Sequence, residues 1–341
     1  MEWWSLLKSV REENNRVTLK DVAKRVGVSY NAVSKVLNQT RSNTAVSEST
    51  RARILEVAAE MGYQPNILAR SLLNRRTNIT ALYFDLLLHT DEPFTSSVIA
   101  GAERGCQAYG QSLLLYSRRP NQTAQEVHQQ LVNGLVDGIV LAAYSDPVLL
   151  QLLENAHVPV AVYPYPTLSF PSVAADEMAG ARAVMQHLKE RGHTDIVYRA
   201  FPWIEESRSA CFRAASEALG LRMTKVLAAD ASGNISREER ELYHRPRADR
   251  PTAVVCWNDE FAYRLLDYLD DERIRVPDDL AVVGFDGSYT FPKPKRKLST
   301  VFVPWNDMAY HAVSMVTEHE GRQSMEEHLT FPVELIVGHT T

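Results

Sequence analysis

Residues 17–38 read VTLKDVAKRVGVSYNAVSKVLN, a pattern that predicts two short helices joined by a tight turn. Thr18 is placed to cap the first helix, and Asp21 three residues later supplies a weaker form of the capping box. Gly27 ends that helix, since glycine enters the left-handed cap conformation without strain, and Ser29 caps the second. Apolar residues recur at helical spacing in both halves. The stretch therefore predicts a helix-turn-helix.

The outer face of the second helix carries side chains that suit base edges and phosphates in a major groove. They are hydroxyl, amide and basic groups, namely Tyr30, Asn31, Ser34, Lys35 and Asn38. Thr18 and Ser29, at the two helix starts, join them as candidate DNA contacts. A small helical hairpin with a polar exterior would show the same pattern. The two helices alone therefore leave DNA binding and a plain structural role open.

Charge is distributed unevenly along the 341 residues, whose formal net charge is −5. Residues 16–76 hold eleven Lys or Arg and four Asp or Glu, a net charge of +7. Residues 77–341 carry a net charge of −11. A basic head on an acidic body favours a head that binds a polyanion such as DNA.

Composition argues against several classes of protein. The length suits two or three domains. No stretch reaches the roughly 18 consecutive apolar residues of a membrane-spanning helix, and residues 1–15 lack the basic start of a signal peptide. The three cysteines form no Cys-x-x-Cys pair, so neither a disulfide framework nor a zinc site is expected. We expect a cytoplasmic protein without a cofactor, in which residues 1–15 are an extension of no assigned function.

A third helix is predicted after the loop that follows the helix-turn-helix, with Ser47 or Ser49 as its cap. The three helices make a compact headpiece over residues 16–64. Residues 65–77 then form a linker in which Asn66 caps a short helix. Such a helix is too short to be stable alone, so the residues themselves favour a plain linker here.

The run over residues 17–38 and a second run, VSESTRARILEVAAEMGYQPNILARSL at 46–72, resemble the headpiece and hinge of the lac-repressor (LacI/GalR) family. The resemblance implies that Tyr30, Asn31 and Lys35 occupy base-reading positions. It also implies that the linker is a hinge helix, which orders on operator DNA and enters its minor groove beside the hinge of a second subunit.

Two hinge positions match family residues of known role. Leu72 matches the leucine that wedges into a central base step, and Ala69 matches the small residue that lets the two hinge helices approach. An apolar side chain inserted into the minor groove unstacks a base step and bends the duplex, which is the role that the resemblance implies for Leu72.

Strand and helix patterns alternate from Asn78 onward. Predicted strands cover 79–88, 112–117, 138–143, 158–164, 195–200, 252–257 and 280–286, and predicted helices cover 96–110, 123–134, 177–192, 207–220 and 260–271. Such alternation predicts parallel sheets with helices on both faces. The length suits two doubly wound subdomains, and small ligands bind at the carboxyl ends of parallel strands.

The resemblance to the family continues through this α/β core and implies a periplasmic-binding-protein-like arrangement. It places the first subdomain at about 78–174 and 304–331 and the second at about 175–303 and 332–341. The chain lacks the added C-terminal helix that makes some relatives tetramers, so the resemblance implies a homodimer.

Six residues are candidate effector contacts because the segments that carry them match the family's cleft segments: Phe94, Asp176, Arg208, Trp257, Asn258 and Asp286. Each has a plainer interpretation. Asp286 would equally cap the next turn, Trp257 would equally be buried core, and one of Asn258 and Asp259 would cap a helix. The segment SRSACF differs from the family's Arg-x-x-Gly-Phe motif at Cys211, which replaces the usual glycine.

These observations favour a transcriptional regulator, most simply a repressor, that binds palindromic operator DNA under the control of a small molecule. Sugars are the commonest effectors of the family, and nucleobases also occur. An enzyme on a doubly wound scaffold is the first alternative, but no phosphate-binding, nucleophile-elbow or metal motif supports it. A solute-binding protein is the second, and the basic headpiece argues against it.

Overall fold

The computed structural model describes residues 17–38, 45–64, 71, 76–85, 93–142, 146–167, 169–201, 207–230, 232–246, 248–287, 296–318 and 327–341. The chain divides into two compact units, Met1–Asn78 and Ile79–Thr341. The fold class expected from the sequence is confirmed: a helical headpiece precedes a core of two largely parallel sheets. Of the described helices, none has the length and apolar character needed to span a bilayer.

The headpiece contains α1 (Leu19–Val26), α2 (Tyr30–Asn38) and α3 (Glu48–Glu60). The predicted caps are confirmed. Thr18 and Asp21 form a reciprocal capping box, and Ser47 caps α3 by accepting the amide N–H of Thr50. Gly27 has a φ of 80°, which a residue with a Cβ would adopt only with strain. Val22, Val33 and Ile54 are fully buried and form the centre of the core between the helices.

Replacing Thr18 by alanine is expected to loosen the start of α1. The Thr18 hydroxyl accepts the Asp21 amide at 3.4 Å and donates to the Asp21 carboxylate at 2.7 Å, and losing an N-cap costs about 0.5–2 kcal/mol. Amide exchange over residues 19–23 should then speed up by roughly 2- to 30-fold, because 1.4 kcal/mol is a factor of ten. Thr18→Ser is the matched control, and an equal change in both variants would contradict the capping role.

The first sheet of the core has the strand order β11-β5-β4-β3-β1-β2, with every pair parallel. Its strands are β1 (Ile79–Phe84), β2 (Ser112–Ser117), β3 (Gly138–Ala142), β4 (Val160–Tyr163), β5 (Ser172–Ala175) and β11 (His328–Phe331). The central strands are buried except at Ile79, the first residue of β1, which explains why they read as continuous apolar runs.

The second sheet has the strand order β12-β10-β9-β8-β6-β7 and is parallel except for the β10–β12 pair. Its strands are β6 (Asp195–Ala200), β7 (Arg222–Leu227), β8 (Ala253–Cys256), β9 (Ala281–Asp286), β10 (Ser299–Phe302) and β12 (Glu334–Ile336). The helices of the core are α4 (Pro93–Ala108), α5 (Ala124–Leu131), α6 (Pro147–Leu153), α7 (Glu177–Glu190), α8 (Ser207–Leu219), α9 (Arg237–Tyr243), α10 (Asp259–Asp271) and α11 (Trp305–Thr317).

The chain passes between the two sheets three times. It leaves the first sheet after β5 and enters α7, which packs on α8 and β12. It returns after β10 through α11, which packs on α4 and on strands of the first sheet, and it crosses again between β11 and β12. The first and third crossings touch, because the Asp176 amide donates to the Phe331 carbonyl at 2.9 Å. The site is therefore assembled from distant parts of the sequence.

All seven strands predicted for the core are present, and the five predicted helices begin and end within a few residues of the expected positions. The strand and helix patterns did not include β5, β7, β10, β11, β12, α6, α9 and α11. Strands β5 and β7 are short or half-exposed, so their apolar signal is weak. The side of helix α11 away from its buried residues is mostly half-covered and carries few charges, so its pattern lacks a clear polar face.

Candidate DNA-binding surface and effector cleft

The exposed surface of α2 is smaller than the sequence suggested. Tyr30 is 46% exposed, Asn31 is exposed and Lys35 is half-exposed, so these three side chains lie on the outside of the headpiece. Ser29 is also exposed, and its hydroxyl accepts the Ala32 amide at 3.2 Å, which makes it the predicted helix cap. The arrangement offers a phenol, an amide and an ammonium group to a groove.

The placement of Ser34 and Asn38 on this outer face is wrong, because both are buried. Helix α2 packs against both α1 and α3, so the side chains that flank its apolar stripe are covered as well. The Oδ1 atom of Asn38 is buried without a hydrogen-bond partner among the described residues. The predicted hinge contacts Asn66, Ala69 and Leu72, and the extension over residues 1–15, lie outside the described residues.

Arg208 is held at the start of α8 by groups from three other elements. Its Nε donates to the Glu177 Oε1 at 3.1 Å, and its Nη1 donates to the Trp257 carbonyl and lies 3.8 Å from the Asp286 Oδ1. The guanidinium carbon sits 3.8 Å from the centre of the Phe285 ring. Burial lowers the pKa of Arg208, but the Glu177 and Asp286 carboxylates raise it by more than burial lowers it. The pKa of Arg208 therefore lies above its ordinary value.

Asp286 ends β9 in an unfavourable backbone conformation, with a φ of 114°. Residues held in such conformations cluster at functional sites, where the surrounding structure compensates the strain. Burial is the main cause that raises the pKa of Asp286 to about 7. The Arg208 charge lowers this pKa, and the Glu177 charge raises it. Trp305 also lowers this pKa through its indole N–H, although Nε1 meets no acceptor with full hydrogen-bond geometry among the described residues. The carboxyl group therefore changes charge near neutral pH.

The first subdomain contributes an aromatic wall. The Phe94 ring lies edge-on to Trp305, with centroids 5.0 Å apart, and nearly parallel to Tyr163 at 6.4 Å. The Tyr163 hydroxyl donates to the Trp305 carbonyl at 3.2 Å. Burial raises the pKa of Tyr163, and the Asp286 charge raises it further. The backbone places the two close together, because the Val303 amide, two residues before Trp305, donates to the Asp286 carbonyl at 3.2 Å.

Trp257 and Asn258 follow β8 at the same edge of the second sheet. Both are half-exposed, and Trp257 packs against Phe201 with a centroid separation of 4.7 Å. The Asn258 Oδ1 caps α10 by accepting the Phe261 amide at 2.8 Å, which leaves its Nδ2 without a hydrogen bond among the described residues. Asp259 is buried and accepts the hydroxyl of Thr300. Asn258 is thus the helix cap of the pair, and only its amide nitrogen remains for a ligand.

Asp176 also has a structural role, since its Oδ1 accepts the Ala179 amide at 2.8 Å and caps α7. Its neighbour Glu177 is the residue that reaches Arg208, and it also accepts the Ser207 hydroxyl at 2.6 Å. Glu177, Tyr163 and Trp305 are absent from the contacts predicted from the sequence. Glu177 was detectable only as the second acid of an Asp-Glu pair after a strand, and the two aromatic residues as the ends of apolar runs.

A second buried ion pair lies behind Trp257. Arg199 and Glu239 are both 0% exposed, and the Arg199 guanidinium donates to the Glu239 carboxylate and to the carbonyls of Phe261 and Gly233 at 3.1 and 2.8 Å. Its carbon lies 5.1 Å from the centre of the Phe261 ring. Because Phe261 also packs against Trp257, this pair supports the rear of the cleft.

Comparison with known proteins agrees with this geometry. Residues 18–66 match the family described as bacterial regulatory proteins, lacI family, and residues 185–341 match the periplasmic binding protein-like domain. The lac repressor dimer bound to operator and the anti-inducer ONPF covers 96% of this chain and 99% of its own, with a TM-score of 0.82 and 22% identity, which shows the fold. The transcriptional regulator CelR–cellobiose complex has a TM-score of 0.68 and 26% identity, over 96% of this chain and 100% of its own.

Curated relatives match over nearly the whole chain. The HTH-type transcriptional regulator DegA of Bacillus subtilis is 26% identical over 96% of this chain and 98% of its own length. The HTH-type transcriptional repressor PurR of Salmonella paratyphi B is 29% identical over 91% of this chain and 94% of its own. With a helix-turn-helix headpiece that matches the lacI family and a core of two largely parallel sheets that matches the periplasmic binding protein-like domain, the chain is a DNA-binding transcriptional regulator with an effector-binding core.

Proposed function

We propose that the chain is a sequence-specific repressor that acts as a cytoplasmic homodimer, has no catalytic activity, and takes a sugar as its effector. The observation that carries this proposal is the cleft, where Arg208 and Asp286 lie beside the aromatic wall of Phe94, Tyr163 and Trp305. The ring of Phe94, which is half-exposed and backed by the buried Tyr163 and Trp305, suits the apolar side of a sugar ring, and a carboxyl group with a guanidinium suits its hydroxyls. The bound cellobiose of the CelR complex supports this class of effector.

The repressor assignment rests on the relatives named as repressors, and the homodimer on the dimeric lac repressor structure. We assign Tyr30, Asn31 and Lys35 to the operator, with Ser29 and Thr18 as contacts near phosphates. Among the effector contacts we retain Arg208, Asp286, Phe94, Trp257 and the Asn258 amide, with Asp176 as a positioning residue.

Effector binding would act by changing how the two subdomains close. The cleft is lined by both, and a ligand held between Asp286 and the aromatic wall favours the arrangement in which the two are close. A ligand shifts such an equilibrium by its difference in affinity for the two arrangements. DNA affinity changes if the headpieces of the dimer are better placed in one arrangement than in the other.

Operator binding should fall steeply with salt, with a log–log slope of about −0.9 for each phosphate contact. The operator is first selected from random duplexes, and its affinity is measured between low and high salt. Asn31→Ala is expected to lose about 1–3 kcal/mol of discrimination at one base pair while keeping the salt slope. Asn133→Ala, on the surface of the core, is the control. A slope near zero, or unchanged discrimination in Asn31→Ala, would contradict the proposed interface.

A further inference from the structure

Among the described residues, the charges around Arg208 are not those of an anion-binding site. Two carboxylates, Glu177 and Asp286, lie within 4 Å of its guanidinium nitrogens. The Nε edge and the Nη1 atom are already used, by Glu177 and by the Trp257 carbonyl. Only Nη2 makes no hydrogen bond among the described residues, so Arg208 does not offer the two-pronged edge with which arginine binds phosphates and carboxylates.

Glu177 is better placed than Asp286 to compensate the positive charge of Arg208. It makes a direct hydrogen bond to Nε at 3.1 Å, whereas Asp286 is 3.8 Å from Nη1. Its second carboxylate oxygen is fixed by the Ser207 hydroxyl at 2.6 Å, which holds the side chain in this position. A phosphorylated ligand would bring its charge against this fixed carboxylate, and juxtaposed like charges are strongly unfavourable.

Resting on the sugar-responsive function above, we propose that Glu177 is a specificity-determining residue: it neutralises Arg208, so that the cleft accepts uncharged, hydroxyl-bearing effectors and rejects phosphorylated or carboxylated ones. Asp286 and the Nη2 atom of Arg208 remain for hydroxyl groups, one as acceptor and the other as donor. Selection against anions is thus exerted by a residue that the effector need not touch.

Inorganic phosphate is a probe of this charge that requires no knowledge of the effector. We would measure its apparent affinity for the full protein from the thermal shift, at constant ionic strength set with chloride. Glu177→Gln keeps the shape of the side chain and removes its charge. Glu190→Gln, at the exposed far end of α7, removes a charge away from the cleft and is the matched control.

Glu177→Gln is expected to bind phosphate at least about tenfold more tightly than the wild type, the effect of one charge at this distance. The gain should disappear when Arg208→Gln is added, because the anion then has no cation to bind. Asp286→Asn, assayed at a pH above 7 where the Asp286 carboxyl group is mostly ionised, provides a second variant that should also gain phosphate affinity, and circular dichroism would establish that each variant folds. All variants share the same headpiece, so any phosphate that binds there contributes equally to each and does not affect the differences between variants.

Two results would overturn the proposal: phosphate affinity in Glu177→Gln equal to that of Glu190→Gln, or a gain that survives the loss of Arg208. Operator binding of the same proteins is measured in parallel. If it is intact while the phosphate result is negative, the charge selection is wrong and the regulator assignment stands. If operator binding is absent in the wild type, the proposed function fails by itself.

Discussion

Glu239→Ala is expected to lower the free energy of unfolding of the core by about 3–5 kcal/mol, the cost of breaking a buried ion pair from one side. Arg199 would then stay charged without its carboxylate partner in a site where both side chains are fully buried. The variant also removes the acceptor of the Ser236 amide at 2.8 Å and of the Tyr243 hydroxyl at 3.3 Å. Denaturant unfolding followed by tryptophan fluorescence measures the change.

The same helix supplies the control. Glu241 pairs with Arg237 four residues earlier, at 2.8 Å, but these side chains are 63% and 92% exposed. Glu241→Ala is therefore expected to change stability by no more than about 0.5 kcal/mol. Equal losses in the two variants would show that the helix, and not the buried pair, determines the effect. Effector affinity should also fall in Glu239→Ala, because Phe261 and Trp257 lose their support.

Arg208→Ala is expected to abolish the effector response and to destabilise the core by about 3–5 kcal/mol. Replacement of a residue that only contacts the ligand would affect ligand binding alone. The structure changes that expectation, because the variant leaves Glu177 and Asp286 as neighbouring carboxylates with no cation between them. Adding Glu177→Gln should restore much of the stability but not the response. A double-mutant cycle of these two positions measures the coupling, which should be well above the roughly 0.5 kcal/mol of independent sites.

The pH dependence of Arg208→Ala provides a second test. Asp286 already has a pKa raised to about 7, above its ordinary value of 3.8, so the folded protein binds this proton more tightly than the unfolded chain. The contribution of Asp286 to the free energy of unfolding is therefore fully present below its pKa in the unfolded chain. It is lost as the pH rises through its pKa in the folded protein. Arg208 lowers the pKa of Asp286, so its removal should raise that pKa and extend the decline in stability to higher pH. An Arg208→Ala variant with the wild-type pH profile would show that the two groups are not coupled.

Local signals in the sequence predicted the headpiece well. The caps at Thr18, Ser29 and Ser47 and the stop at Gly27 act within one helical turn, so adjacent residues are enough to identify them. Ser34 was misplaced because its burial depends on how α2 lies between two other helices, which the pattern of one helix does not reveal.

The cleft was predicted only in part, for a physical reason. Asp286 ends a strand and Arg208 begins the helix that follows another, and a parallel sheet places its ligand groups at this edge. Glu177 and Trp305 come to the same place through crossings between the sheets, and no periodicity in the sequence encodes such a crossing. The partner of Arg199 is forty positions away, so the buried pair could not be recognised from spacing either.

The three crossings between the sheets also govern how the protein can be made. Each sheet receives an edge strand from residues 328–336, and α11, at Trp305–Thr317, covers the first sheet whose other strands are translated much earlier. On the ribosome, the headpiece emerges first and has all of its own core residues. The first subdomain, although begun early, must wait for these late segments. We therefore expect the nascent core to fold as one unit only after these late segments, including the buried Thr340, have left the ribosome, and a chain stopped before 305 to leave apolar surface of both sheets uncovered.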